Sequence, residues 1–231
     1  MRSDRARPAK AWRAALVAGG AGLLLAGCMT SRLDESKNTA TGIAAGESIV
    51  ILARSYHKGK AVEEDLVSCI NEEVQSGAQR VRVTPQQDFI DALFPWFEPR
   101  IAPQSAEALP ELLARPGVAK RIEAHGVRYI VWIDGRTEKT GGGGSLSCAI
   151  GPGGGGCLGF TWWEDDASYD AAVWDLQRRS DAGSVSADVH GTSMIPALII
   201  PLPLIARTQS AACKDMAGQI SRFIRDPGGG S

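Results

Sequence analysis

The sequence is poor in the residue types and motifs that usually carry catalysis or hold metals. It contains three histidines among 231 residues, and neither a G-x-S-x-G turn nor an H-E-x-x-H motif is present. His125 suits the carboxyl end of a helix, whereas His57 and His190 are expected at the surface. The sequence therefore predicts neither a catalytic set nor a metal site.

The sequence also lacks an apolar run of the length that a membrane-spanning helix needs. The uncharged segment 14–27, AALVAGGAGLLLAG, follows a head with five Lys or Arg residues. It is shorter than the roughly 20 residues of a spanning helix, and its small residues and basic head are typical of a secretory signal. Residues 1–27 are therefore predicted to be a signal peptide.

The signal ends in Leu25-Ala26-Gly27-Cys28, which resembles the lipobox of bacterial lipoproteins. The resemblance implies cleavage before Cys28, a diacylglycerol on its sulfur and further acylation of its amino group. This covalent lipid is the only cofactor expected. Met29 stands where inner-membrane retention would favour Asp, so an outer-membrane anchor facing the periplasm is predicted.

Removal of the signal changes the charge balance. It takes away five basic residues and one acidic residue, so the net charge falls from −1 to near −5. An acidic chain does not favour a nucleic-acid partner. The predicted partners are the membrane, through the lipid, and an envelope protein or polysaccharide.

The remaining chain predicts one domain between two irregular ends. Residues 28–45 are polar and aperiodic and are predicted to be a tether, and residues 227–231 a disordered tail. Between them, 46–226 predicts an α/β (α+β) domain with a mixed sheet of about five strands and helices packed on it. The expected strands are 48–54, 80–83, 127–137, 168–176 and 184–190. The expected helices lie at 62–76, 84–94, 110–125 and 209–225.

The segment from His125-Gly126 into the strand Ile130-Val131-Trp132-Ile133 resembles the helix–glycine–strand step of TolB amino-terminal-like domains. Related domains occur in LpoB-like and CsgG-like envelope lipoproteins. The resemblance implies a TolB-like fold and an envelope location. The segments GFTWWE, WDL and PLIARTQSAAC also look like uncharacterised proteobacterial lipoproteins, a likeness that implies no activity.

Residues 141–160, GGGGSLSCAIGPGGGGCLGF, raise three interpretations. A Walker A loop would need Gly-Lys-Ser/Thr after its glycines, and a zinc knuckle would need further nearby ligands. A hairpin tip closed by a Cys148–Cys157 disulfide fits an oxidising compartment better. Four exported cysteines allow three pairings, and the simplest adds a Cys69–Cys213 bridge between two helices.

Several loop residues are candidates for binding a partner. Trp96, Trp162 and Trp163 lie outside the periodic elements, where they could stack on sugars, anchor a protein or cover the sheet edge. Residues 164–166, Glu-Asp-Asp, are expected to form a solvated turn. Residues 194–206, MIPALIIPLPLIA, are broken by prolines and are expected to be a buried strap. The alternative is an apolar patch, including Leu202, that faces a partner or the bilayer.

These observations predict a lipid-anchored periplasmic protein that binds another envelope component and supports its assembly or activity without catalysis. Two rivals remain. An envelope hydrolase would place His190 and Asp188 in a cleft, and a polysaccharide-binding module would place Trp96, Trp162 and Trp163 on one exposed face.

Overall fold

The computed structural model describes residues 28–53, 64–97 and 106–226. The predicted signal peptide, His57 and the predicted tail lie outside these residues. A short 3₁₀ turn covers Ala106–Ala108. In chain order the elements are β1 Cys28–Lys37, β2 Ser48–Ala53, α1 Glu64–Ser76, β3 Val83–Thr84, α2 Gln86–Ala92, α3 Leu109–Leu113, α4 Val118–Ala124, β4 Val127–Gly151, β5 Gly154–Asp175, β6 Ser180–Pro201 and α5 Thr208–Arg225.

The six described strands form one mixed sheet in the order β1-β6-β5-β4-β2-β3. β2 lies between β3 and β4 and is parallel to both. β4 and β5 are neighbours joined by only two residues, and so short a connection makes them an antiparallel hairpin. The mixed α/β class predicted from the sequence is therefore confirmed, with six strands instead of about five.

Contacts divide the chain into two compact units. The described residues of the first, called here the β unit, are 28–29, 139–165 and 191–207. The second, called the α/β unit, contains the described residues of 30–138, 166–190 and 208–226. The sequence prediction of a single domain over 46–226 did not anticipate this division, because the long strands β4, β5 and β6 contribute residues to both units.

Helices cover both faces of the sheet in the α/β unit. Buried residues of α1 and α5, among them Ile70 and Ile220, pack on Tyr129, Val131 and Ile133 of β4. On the other face, buried side chains of α2, α3 and α4 pack on Ile130 and Trp132. Burial on both faces explains why β2 reads as an unbroken apolar run.

The predicted tether over 28–45 is wrong in its first part, because residues 28–37 form strand β1 at the edge of the sheet. β1 lies beside β6, where Gly183 approaches so closely that a Cβ there would overlap the Ser36 carbonyl oxygen. Polar side chains of β1 bind α5: Ser31 donates to Asp215 at 2.5 Å, and Glu35 accepts from Gln219 at 3.0 Å. An edge strand that is held by such hydrogen bonds does not need regularly spaced apolar residues.

The helix expected over 84–94 covers Gln86–Ala92 in the structure, and Thr84 lies outside it. Pro85 occupies the N-cap position and no side chain caps the helix. The Thr84 hydroxyl is 2.7 Å from that of Ser48, on the neighbouring strand β2. Because Thr84 pairs within the sheet as the last residue of β3, its side chain is not available to the helix.

A buried carboxylate holds the turn between β5 and β6. Asp175 is fully buried and its Oδ1 accepts the backbone N–H groups of Gln177 and Arg178, each at 2.9 Å. Its Oδ2 binds the guanidinium groups of Arg128 at 2.8 Å and Arg178 at 3.2 Å. A buried charge is tolerated when it is fully hydrogen-bonded, as it is here.

Both disulfides that the sequence favoured are present. Cys69 of α1 is bonded to Cys213 of α5 across a sequence separation of 144, and Cys148 of β4 is bonded to Cys157 of β5 across a separation of 9. The first disulfide therefore constrains a far larger loop of the unfolded chain than the second.

Loop size predicts unequal effects when the two disulfides are removed. Replacing Cys69 and Cys213 together by Ala should lower the free energy of unfolding by up to about 5 kcal/mol, and replacing Cys148 and Cys157 by up to about 3 kcal/mol. Denaturant unfolding of both double variants without reductant measures the difference. Equal losses would show that loop entropy does not set the contributions of these bonds.

Candidate functional site

The exposed large apolar side chains are concentrated in the β unit. Among the described residues, ten large hydrophobic side chains are exposed, and nine of them belong to this unit. These nine define the apolar surface of the protein: Met29, Ile150, Leu158, Phe160, Leu198, Ile199, Ile200, Leu202 and Ile205. The tenth, Phe94, belongs to the α/β unit. Large exposed apolar patches are uncommon on folded proteins, which makes this concentration a candidate binding surface.

The glycine-rich segment forms the end of the β4–β5 hairpin, as the sequence predicted. Pro152 and Gly153 make its two-residue turn, and the Cys148–Cys157 disulfide joins its strands. The glycine runs themselves, however, lie mostly within the strands and not in an open loop. At Gly144, which has a φ of +93°, a Cβ would overlap the Phe160 carbonyl oxygen, so close strand approach requires glycine there.

The predicted buried strap over 194–206 is wrong, because much of this segment is exposed. Its first part continues β6, and the chain then folds back so that Met194 and Leu204 exchange two backbone hydrogen bonds of 2.8 Å. Leu202 also donates its N–H to Pro196 at 3.0 Å. This pairing satisfies the backbone with no cover over the side chains, which leaves Leu202 56% and Leu198 79% exposed.

A shallow cavity of about 390 Å³ lies within the apolar surface. The Cys148–Cys157 disulfide lines it together with Leu158, Leu198 and Ile199. Ile199 has a φ of +92°, a backbone conformation that a β-branched residue rarely adopts. None of the described residues that line the cavity is charged.

The three tryptophans proposed for binding do not form one platform. Trp162 and Trp163 are half-buried and adjacent in β5, so their side chains leave opposite faces of the strand. The Trp163 indole donates to Asp165 at 2.9 Å, and the Lys139 ammonium lies 5.3 Å from its ring centre. Trp96 belongs to the α/β unit, where it packs on the core beneath the Arg121 guanidinium.

The solvated turn predicted for residues 164–166 is also wrong, because these residues continue strand β5. Strand alternation sends Asp165 towards the Trp163 side, where it accepts the indole hydrogen bond. Asp166 instead meets His190 of β6 across a distance of 2.6 Å between Oδ1 and Nδ1. Three acids in sequence are therefore separated onto two faces of the sheet.

Polar residues of β5 and β6 form an acidic strand face on the α/β unit. Besides the Asp166–His190 pair, Ser168 donates to Asp188 at 2.6 Å. His190 thus pairs with Asp166 and not with Asp188, and Ser168 belongs to a separate pair. These four described residues therefore do not form the Ser–His–Asp relay that a serine hydrolase uses.

Among the described residues of this face, Asp170 has the clearest shift in pKa. Its pKa is raised above the ordinary 3.8, first by desolvation and then by repulsion from Asp188 and Asp134. Within residues 28–53, 64–97 and 106–226, no cluster of three or more His, Cys, Asp or Glu side chains has the arrangement of a metal site. In the same ranges, no helix combines the length and apolarity needed to cross a bilayer.

Sequence reasoning considered both segments that supply most of the apolar surface, 141–160 and 194–206, but among the nine residues it named only Leu202 for binding a partner. A signal was present, since residues 140–163 and 191–206 contain no Asp, Glu, Lys, Arg or His. Two long uncharged segments in one acidic chain indicate that both segments lie in the same uncharged environment.

No family model and no curated protein matches this chain. Among solved structures, it is similar to the PelC dodecamer of Paraburkholderia phytofirmans, at 10% identity and a TM-score of 0.37. A single-substitution variant of that dodecamer gives 11% identity and a TM-score of 0.38. Both alignments cover 86% of this chain and 99% of the PelC chain. Similarity at this level carries no argument about function.

The raised pKa of Asp170 predicts a pH-dependent gain of stability on neutralising it. The folded state disfavours the ionised form of Asp170, which lowers the free energy of unfolding. This loss of stability is absent below the ordinary pKa of 3.8 and grows as the pH rises through the raised pKa. Asp170→Asn should therefore raise the melting temperature slightly at neutral pH and leave it unchanged near pH 3. Glu123→Gln, an exposed change on α4, is the control. An equal gain at both pH values would contradict this explanation.

Proposed function

We propose that this protein is a lipid-anchored, non-enzymatic binding protein of the cell envelope. Acyl chains on Cys28 hold it at the periplasmic side of the outer membrane, and it supports the assembly or activity of the component that it binds. The observation that carries the proposal is the apolar surface of the β unit, which contains nine of the ten exposed large hydrophobic residues described. A stable soluble protein rarely leaves such residues together in water unless they bind something.

The location of Cys28 supports the anchor. Cys28 and Met29 belong to the same unit as the apolar surface, and Cys28 is the first residue of β1. Because an ordered strand begins at the acylated residue itself, no flexible tether separates this strand from the lipid. Two or more acyl chains are sufficient for stable attachment to a bilayer.

The disulfides support an exported location. Disulfides persist in the periplasm and on cell surfaces but are rare in the reducing cytosol. This chain contains one disulfide in each unit, Cys69–Cys213 in the α/β unit and Cys148–Cys157 in the β unit. A location outside the cytoplasm would preserve both.

The proposed relation to TolB amino-terminal-like domains rests on the chain around α4. His125 ends that helix, Gly126 follows with a φ of +65°, and β4 begins at Val127. This order matches the helix–glycine–strand step on which the resemblance was based. The rival functions have less support, because Trp162 and Trp163 lie on opposite strand faces and His190 is paired with Asp166.

The anchor predicts a specific effect of replacing one residue. Cys28→Ala should abolish acylation, leaving precursor that keeps its signal or protein that is released from the outer membrane. Metabolic labelling with a fatty acid and fractionation of washed membranes measure both effects, with Cys148→Ala as a control that leaves the lipobox intact. Fatty-acid label that persists on Cys28→Ala protein would contradict the anchor.

The binding surface predicts where crosslinks should form in the native envelope. A photocrosslinking benzoylphenylalanine at position 202 should react with a component of the envelope, because Leu202 is exposed on the apolar surface. The same group at position 72, an exposed site on α1, is the matched control. Mass spectrometry of the adducts identifies the component. No adduct at position 202, or the same adducts from both positions, would overturn this binding surface.

A further inference from the structure

The apolar surface has a composition that matches a lipid environment. The two segments that supply most of it, 140–163 and 191–206, contain no residue that carries charge near neutral pH. Protein interfaces normally include charged or strongly polar groups at their rim, and Arg is enriched in them. A surface built without any such group over both segments is matched better by the uncharged interior of a bilayer.

We propose that the apolar surface of the β unit inserts into the lipid bilayer, at the boundary between headgroups and acyl chains. It would form a second membrane contact beside the acyl chains on Cys28. This inference rests on the proposed function, because it names lipid as the component that the same surface binds. It goes beyond the anchor, since the protein itself enters the membrane.

The residues that flank the uncharged segments fit this placement. Lys139 immediately precedes the segment 140–163, Glu164 and Asp165 immediately follow it, and Arg207 is the first charge after 191–206. Trp163 lies at this boundary, with its indole bonded to Asp165 and its ring beneath Lys139. Tryptophan beside charged groups is typical of the membrane–water interface, where the ring contacts lipid and the N–H remains bonded.

The stability of the β unit alone does not explain why an isoleucine stands at position 199. Its φ of +92° strongly favours glycine, yet the position holds a β-branched side chain that is 69% exposed. The side chain therefore adds backbone strain without being buried by the protein. Contact with lipid would bury it, and the neighbouring Leu198 and Ile200 are exposed in the same way.

Backbone chemistry limits how deeply this surface can enter. Unpaired N–H and C=O groups at an open strand edge are not tolerated in the hydrocarbon layer. Many residues of the two segments are glycines, whose backbone is poorly shielded from lipid. Insertion is therefore confined to the headgroup–acyl boundary, where the side chains contact acyl chains and the strand edges remain hydrated.

The test uses the complete lipidated protein in vesicles of phosphatidylethanolamine and phosphatidylglycerol. A phenyl trifluoromethyl diazirine dissolved in the bilayer is photolysed, and the labelled residues are mapped by mass spectrometry. Peptides covering 146–160 and 194–205 should be labelled several-fold more than the peptide of α1, residues 64–76. Equal labelling of all three peptides would overturn the inference.

Two matched variants separate insertion from folding. Ile199→Gly removes an exposed side chain and relieves an unfavourable φ, so labelling of 194–205 should fall several-fold while the melting temperature stays the same or rises. Phe94→Ala removes the exposed hydrophobic residue of the α/β unit and should leave the labelling pattern unchanged. Unchanged labelling in Ile199→Gly would contradict insertion through this residue.

The outcome also distinguishes this inference from the proposed function. If the bilayer probe does not label the apolar surface but position 202 crosslinks to an envelope protein, the binding surface stands and lipid is the wrong occupant. If the probe does not label it and position 202 gives no adduct, both proposals fail. Loss of acylation in Cys28→Ala tests the anchor separately.

Discussion

Backbone pairing between β4 and β5 is the constraint on which the rest of the structure depends. In the α/β unit, Leu176 donates its N–H to Arg128 at 3.0 Å, and in the β unit Gly144 lies against Phe160. The steps from Arg128 to Gly144 and from Leu176 back to Phe160 are equal, so both units share one antiparallel register. A slip of one residue would turn every side chain to the opposite face, moving Tyr129 and Val131 out of the core that contains α1 and α5 and into the one that contains α2, α3 and α4.

That register serves two different purposes along the same strands. In the α/β unit it presents apolar residues to helices, and the buried Asp175 fixes the turn that leads into β6. In the β unit no helix is present among the described residues, and the pairing of backbones with glycine at close approaches holds the strands together. The side chains are then free to face outward, which is why large apolar residues such as Leu198 remain exposed.

The elements that depend on the pattern of side chains were predicted from the sequence, and the elements that depend on backbone pairing were missed. The helices expected at 62–76 and 209–225 and the strand expected at 48–54 correspond to α1, α5 and β2, and the pairing of Cys69 with Cys213 is present. The polar strand β1 was read as an irregular tether, and the glycine runs of β4 and β5 were read as the tip of a hairpin and not as paired strands. An edge strand such as β1 needs no apolar face, so its sequence lacks an apolar pattern. Glycine inside a strand is unfavourable unless a close approach of the backbones requires it, as at Gly144 and Gly183. Exposure of residues 194–206 was mispredicted because the fold-back that pairs Met194 with Leu204 leaves no sequence period.

The proposal that most needs a test is that the β unit meets the membrane through its own side chains as well as through acyl chains on Cys28. Neutron reflectometry of the lipidated protein on a supported bilayer, with deuterated acyl chains for contrast, measures this most directly. We expect protein density that overlaps the headgroup layer and the outermost part of the acyl layer. A Leu198→Ser, Leu202→Ser double variant that remains acylated should show a smaller overlap. A layer of solvent between the bilayer and all protein density would contradict the account.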